Sequence, residues 1–122
     1  MPLWVYVLGL AVYLLGEAIF QWARYTNRFF SSVVRIQTDR GHTVCNEGPY
    51  RIVRHPGYLG GFLFTVTLGI VLGSWWASIP QVIAGLMLIW RTAREDRTLQ
   101  AELPGYVGFT RETRWRLIPG VW

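Results

Sequence analysis

The chain has 122 residues, enough for one domain; 52% of them are hydrophobic and 16% aromatic. All 12 basic residues are arginine, and the formal net charge is +5. Because these arginines flank apolar segments and form no DNA- or RNA-binding motif, we expect no nucleic-acid partner. One cysteine and two histidines rule out an internal disulfide and are too few for a zinc site, so we also expect no metal.

The first apolar block predicts a membrane-spanning helix over residues 3–23. At 1.5 Å per residue this segment is about 30 Å long, which matches the hydrocarbon core of a bilayer. It has no positively charged N-terminal region and no small-residue cleavage site. We therefore expect a retained span rather than a removable signal peptide.

The second apolar block, residues 56–90, is about 50 Å long as a helix and too long for one crossing. It contains the stretch "GSWWASIP", residues 73–80, which is typical of a turn at a membrane surface. The block therefore predicts a helical hairpin with spans over 56–73 and 76–94. The fold class expected is an all-α integral membrane protein with three transmembrane helices in a single domain, 1–122.

Arginine placement predicts the orientation of these spans. Residues 24–54 carry six arginines, the segment after Trp90 carries six more, and the hairpin tip carries none. By the positive-inside rule, the loop 24–55 and the tail 95–122 are cytoplasmic, and the N-terminus is outside. The tail is expected to lie along the interface or cap a site. Exclusive use of arginine favours a bacterial inner membrane, with membrane lipids as partners.

Two features inside the spans predict helix contacts. Gly61, Thr65, Gly69 and Gly73 recur at intervals of four and permit close approach of a neighbouring helix. Glu17 is the only acid within a span and shares a helix face with Gln21 and Arg24. We expect it to pair with one of these side chains, the alternative being a functional intramembrane acid.

The stretch "RHPGY" predicts the start of the second span. Pro56 suits the first turn of a helix, where its missing N–H leaves no bond unmade. Arg54 and His55 stand just before this helix start, and Tyr58 lies in its first turn. A cationic helix start attracts a carboxylate or phosphate, although the same residues would also serve as an anchor at lipid headgroups.

The stretch "RTARED" carries the complementary charge at the end of the third span. Arg91 and Glu95 are four residues apart on one helix face, and Asp96 is adjacent. A surface ion pair between Arg91 and Glu95 is the plainer interpretation. Both stretches meet the same face of the membrane, so together they predict a site of mixed charge that suits a zwitterion. Cys45 has no evident base, and we expect it to be a small apolar contact.

Three stretches in order, "GHTVCNEGPYRIVRHPGYLGG", "RTAREDRTL" and the "GY…RLIPGVW" ending, resemble the isoprenylcysteine carboxyl methyltransferase family and the related phospholipid methyltransferases. The likeness extends from about residue 35 to the C-terminus. It implies a membrane enzyme that uses S-adenosyl-L-methionine, with Arg91 facing the methyl acceptor and Glu95 holding a polar group of the cofactor; these two are the expected catalytic residues. The residues implied for the cofactor pocket are Gln37, His42, Thr43, Val44, Cys45, Tyr50, Arg54, His55, Pro56, Gly57, Tyr58, Glu95 and Asp96.

The resemblance implies methyl transfer to a lipophilic or lipidated acceptor, in first place the carboxylate of an isoprenylcysteine-like substrate. A phospholipid or amine methyltransferase, a sterol-reductase-like enzyme that uses NADPH, and a small non-catalytic membrane protein are the alternatives. The chain is shorter than typical members of the family. A homo-oligomer is one way in which a second subunit would supply further helices.

Overall fold

The computed structural model describes residues 1–31 and 36–122, which form four α-helices and two short 3₁₀ helices with no β-strand in these ranges. The α-helices are α1 (Leu3–Thr26), α2 (Pro56–Val71), α3 (Trp75–Glu102) and α4 (Tyr106–Glu112). The 3₁₀ helices are Thr38–Arg40 and Gly48–Arg51. The all-α prediction is confirmed. Arg35, one of the arginines assigned to the loop, lies outside the described residues.

The predicted hairpin between the second and third helices is present, but its turn is shorter than expected. Gly73 adopts a left-handed φ of 72°, and the Ser74 side chain accepts a hydrogen bond from the Ala77 backbone N–H to cap α3. Pro80, expected in the turn, lies within the second turn of α3. The predicted start of α2 at Pro56 is confirmed.

The third helix continues to Glu102 instead of ending near residue 94. Six of the nine residues from 95 to 103, "EDRTLQAEL", are glutamate, glutamine, leucine or alanine, which favour helix, and no helix breaker occurs before Pro104. Part of the predicted tail is therefore helix, and α4 adds about two further helical turns. This extension places Glu95 and Asp96 on a rigid element.

Helix α2 packs on both α1 and α3, whereas α1 and α3 make few close contacts with each other. Glycine allows the tightest approach to α1, since a Cβ on Gly60 would lie 2.5 Å from the Gly16 carbonyl oxygen and 2.5 Å from the Phe20 nitrogen. Gly69 of the predicted small-residue stripe meets the backbone of Ser78 on α3, as expected. Gly60 was not part of that prediction.

One described helix, α1, is long and apolar enough to cross a membrane; α2 is apolar but has only 16 residues. Both α1 and α3 expose large apolar side chains, such as Leu14 and Leu15 on α1 and Leu86 and Met87 on α3. The length and composition of α1 match the predicted first span.

The predicted pairing of Glu17 with Gln21 or Arg24 is wrong. Arg24 donates to the Tyr25 hydroxyl at 3.1 Å, and the Oε2 atom of Glu17 is buried with no hydrogen-bond partner in the described part of the chain. Glu17 follows Gly16, where α1 lies closest to α2. Arg24 lies about two turns further along α1 and pairs with its own neighbour Tyr25 instead.

The C-terminal segment returns to the start of α2 and closes the polar end of the protein. The backbone N–H groups of Arg54 and His55 donate to the carbonyls of Trp115 and Arg116 at 2.7 and 2.9 Å. A small apolar core of Ala23, Tyr50, Leu103, Tyr106 and Phe109 packs beneath this junction. The tail therefore caps this end, one of the two roles expected of it.

Replacing Gly60 with alanine is expected to lower the free energy of unfolding by about 2 kcal/mol, because the new methyl group would overlap backbone atoms of α1. Gly61→Ala is the matched control on the same helix. A Cβ there would meet only Leu88 Cδ1, at 3.9 Å, and helix propensity favours alanine. Denaturant unfolding of both variants in detergent micelles tests the contact; equal stabilities would contradict it.

Candidate active site

A cavity of about 290 Å³ lies where the first half of α2 faces the second half of α3. The end of α1, the loop over residues 42–50 and helix α4 complete its wall. This volume is near the lower end of the range for small-molecule sites, about 300–1,000 Å³. The wall mixes aromatic rings, a carboxylate and guanidinium groups, so it can contact apolar, cationic and anionic parts of one ligand.

Most of the residues expected around a cofactor line this cavity, although they come from three separate stretches of sequence. They are His42, Thr43, Val44, Cys45, Tyr50, Arg54, His55, Gly57, Tyr58, Arg91 and Glu95. Gln37, Pro56 and Asp96 do not line it. Their side chains are buried elsewhere and act on neighbours of the cavity.

Tyr58, Arg91 and Glu95 form the polar centre of the cavity. The Tyr58 hydroxyl donates to Glu95 Oε2 at 2.5 Å, and the Arg91 guanidinium carbon lies 5.9 Å from the Tyr58 ring centre. Tyr58 is in the first turn of α2, and the other two lie one turn apart on α3. The two predicted half-sites therefore meet across the α2–α3 hairpin.

Gln37 supports the loop that forms one wall. Its side-chain NH₂ donates to the Phe29 carbonyl at 2.8 Å, and its backbone N–H donates to His42 Nδ1 at 3.0 Å. The His42 ring stacks on Phe29 with ring centres 4.5 Å apart. Gln37 therefore holds two wall residues together instead of contacting the cavity itself.

In the cavity wall, Cys45 is half-buried and Tyr50 is buried. Burial raises the pKa of the Cys45 thiol, so it stays protonated near neutral pH and is a poor nucleophile. Burial also raises the pKa of Tyr50, whose hydroxyl is hydrogen-bonded to Asn27. Both side chains therefore present neutral surfaces to a ligand.

Asp96 is fully buried beside the cavity and accepts six hydrogen bonds, forming what we call the Asp96 cluster. Arg54 donates to both carboxylate oxygens at 2.9 Å. The other partners are His55 Nε2 at 2.9 Å, the Tyr106 hydroxyl at 2.9 Å, Gln100 Nε2 at 2.6 Å and Arg116 Nε at 3.1 Å.

The Asp96 cluster holds Arg54 and His55 in the cavity wall. Burial alone would raise the pKa of Asp96, but the hydrogen bonds from His55, Arg54 and Tyr106 outweigh it and keep this pKa far below its usual value. Burial and the Asp96 charge raise the pKa of Tyr106, which therefore remains a donor. The sequence predicts that Arg54 offers its positive charge to a ligand. In the structure its guanidinium instead forms a bidentate pair with Asp96.

Several aromatic wall residues were not predicted. Phe29 and Phe30 follow α1, and Tyr106 and Phe109 belong to α4. One available signal was the repeated tripeptide Pro-Gly-Tyr, which occurs at residues 56–58 and again at 104–106. Both of its tyrosines line the cavity.

Residues 1–31 and 36–122 form a helical structure with a mixed-charge cavity at one end of apolar helices, an arrangement typical of helical proteins that bind a small molecule. The sequence model of the isoprenylcysteine carboxyl methyltransferase (ICMT) family matches residues 7–101. The chain therefore belongs to the isoprenylcysteine carboxyl methyltransferase family, a family of methyltransferases.

Individual relatives agree with this assignment. Protein-S-isoprenylcysteine O-methyltransferase B of Arabidopsis thaliana is 30% identical over 89 residues, which are 72% of this chain and 43% of the relative. The human and rat proteins of the same name are 29% and 31% identical over 101 residues, 82% of this chain and 34% of theirs. The chain thus spans between a third and a half of the length of these relatives.

Replacing Asp96 with asparagine is expected to lower the free energy of unfolding by about 3–5 kcal/mol, because Arg54 would be left buried without its counter-ion. Exposed Glu112→Gln on α4 is the control. Denaturant titration of both variants tests this difference, and an Asp96→Asn variant as stable as the control would contradict it.

The cluster also predicts acid sensitivity. The folded pKa of Asp96 lies below the value of about 3.9 expected in the unfolded chain. The cluster therefore stabilises the fold fully above about pH 4, and this contribution disappears as the pH falls from there towards the folded pKa. Unfolding measured across this range should show a steeper acid loss in the wild type than in Asp96→Asn.

Proposed function

We propose that this chain is a membrane-embedded, S-adenosyl-L-methionine-dependent methyltransferase whose acceptor is the carboxylate of an isoprenylcysteine-like compound. The observation that carries the proposal is the convergence of Tyr58, Arg91 and Glu95 in one cavity. Membership of the ICMT family supports the reaction type. It favours methyl transfer over the NADPH-reductase and non-catalytic alternatives.

The cavity wall fits the charges of S-adenosyl-L-methionine. That cofactor carries an ammonium, a carboxylate and a sulfonium, and when bound it supplies a methyl group already activated on a positively charged sulfur. Glu95 is the carboxylate in the wall that suits the ammonium. The rings of Tyr50 and Tyr58 offer cation–π faces to the sulfonium, and His42 to Cys45 offer a polar loop edge.

Arg91 is the residue we assign to the acceptor. A guanidinium orients a carboxylate through two parallel hydrogen bonds, and a carboxylate needs no base before it reacts. The remaining task of the protein is to align the two reactants and exclude water, which the aromatic wall does. Tyr58 contacts Glu95 through its hydroxyl and Arg91 through its ring, so this side chain holds the cofactor side and the acceptor side in a fixed relation.

The lipophilic part of the acceptor has a path along α2. The cavity extends from Gly57 past Gly61, Phe64 and Thr65 on α2 towards Leu88 on α3. This surface lies between α1 and α3, which both pack on α2 but scarcely on each other. An acceptor anchored in the bilayer would enter sideways through this gap and present its carboxylate to Arg91.

We further propose that α1, α2 and α3 all cross the membrane, with the loop before α2 and the C-terminal segment in the cytoplasm. The exposed apolar side chains of α1 and α3 support lipid contact, since soluble surfaces rarely expose such patches. The arginine-free hairpin tip supports the orientation. The cavity then lies at the cytoplasmic surface.

Arg91→Ala is expected to reduce methyl transfer to a prenylcysteine acceptor by about a hundredfold or more, because the acceptor loses its alignment, while binding of S-adenosylhomocysteine is retained. Glu95→Gln should weaken S-adenosylhomocysteine binding itself. Calorimetry and transfer of labelled methyl groups measure the two effects. Arg94→Ala, on the exposed side of α3, is the control for both.

Near-normal turnover by Arg91→Ala would overturn its assignment to the acceptor. Binding of NADPH but not S-adenosylhomocysteine by the wild type would overturn the cofactor. Transfer to phospholipid with none to prenylcysteine would keep the methyltransferase and replace the acceptor.

A fluorescent protein fused after Trp122 reports a cytoplasmic position and should be active. Alkaline phosphatase inserted after Gly73, at the tip of the α2–α3 hairpin, is active only if that tip is outside. Both signals are expected, because every described loop then obeys the positive-inside rule. Phosphatase activity from the C-terminal fusion would reverse the orientation.

A further inference from the structure

A second, polar cavity of about 210 Å³ lies on the other side of α3 from the candidate active site. We call it the arginine cavity; its wall is made of Ala93, Asp96, Arg97, Gln100 and Arg116. Ala93 is its one apolar residue. Nothing in the proposed methyl transfer uses this cavity.

The Asp96 carboxylate at the base of the arginine cavity cannot accept a further hydrogen bond. Two carboxylate oxygens offer about four lone-pair sites, and Asp96 already accepts six hydrogen bonds. Its charge is faced by the guanidinium groups of Arg54 and Arg116. A cation or a hydrogen-bond donor would therefore find no acceptor at this point.

The arginines, in contrast, retain donors. Arg116 uses Nε towards Asp96 and lies over the Trp122 ring at 5.2 Å, and its Nη atoms have no hydrogen bond to any described residue. The guanidinium of Arg97 likewise has none within residues 1–31 and 36–122. The cavity thus presents free charge-assisted donors above a saturated carboxylate, which is an arrangement for an anion.

We propose that the arginine cavity binds a phosphate group between Arg97 and Arg116. Guanidinium pairs match the geometry of phosphate oxygens, and Arg97 brings a further positive charge to a cavity whose carboxylate is already paired with two guanidinium groups. The phosphate is either the headgroup of an anionic lipid or a free phosphate. Arg97 follows the apolar part of α3, at the depth where headgroups lie if α3 spans the membrane.

The test measures binding of inorganic phosphate and of a short-chain phosphatidylglycerol to the full chain, purified in an uncharged detergent, by calorimetry. Arg97→Gln should weaken binding by roughly tenfold, the size of one charge-assisted hydrogen bond. Arg94→Gln is the matched control because it removes the same charge from the same helix, three residues away, outside the cavity. Short-chain phosphatidylcholine serves as the lipid without net charge.

Loss of binding in Arg97→Gln alone supports the site. If phosphatidylglycerol binds and inorganic phosphate does not, the ligand is a lipid headgroup; if both bind, the phosphate group itself is recognised. Equal effects of the two substitutions, or equal binding of phosphatidylcholine, would show general surface attraction and overturn the proposal. Binding of S-adenosylhomocysteine by Arg97→Gln, measured in parallel, reports separately on the proposed methyltransferase site.

Discussion

The buried carboxylate of Asp96 is the contact on which the polar end of this protein depends. Its partners come from the residue pair before α2, from α3, from α4 and from the C-terminal segment. A buried ion of this kind is tolerated only when its lone pairs are filled, and here every partner except Gln100 belongs to another segment of the chain. One side chain therefore sets the relative positions of the two helices that form the candidate active site.

As a result, the two neighbouring acids on α3, Glu95 and Asp96, have different roles. Glu95 faces the cavity and contacts Tyr58, whereas Asp96 does not line the cavity and instead binds Arg54 and His55 in its wall. Adjacent helix positions differ by about 100° in direction, so a consecutive pair naturally serves two surfaces. A pocket wall built in this way keeps its cations in place without using the acid that a ligand needs.

Hydropathy predicted the three long helices and the start of α2, because apolar segments and turns leave a local signal along the chain, but it did not predict that α3 continues to Glu102. Most of the residues that the family resemblance implies for a cofactor pocket, between His42 and Tyr58 and at Arg91 and Glu95, line one cavity. The role of Asp96 could not be predicted, since its partners are up to 42 residues away and follow no periodicity. The unpaired Oε2 of Glu17 and the Gly16–Gly60 contact also depend on helix packing, which the sequence of one helix does not encode.

The return of the C-terminal segment to the start of α2 has a consequence for the order of folding. Arg54 and His55 are fixed by the carbonyls of Trp115 and Arg116, some 61 residues further along the chain. During synthesis, the apolar helices can form and pair before these carbonyls exist, because local contacts form earlier than distant ones. The polar end can therefore be completed only after the three long helices have been synthesised.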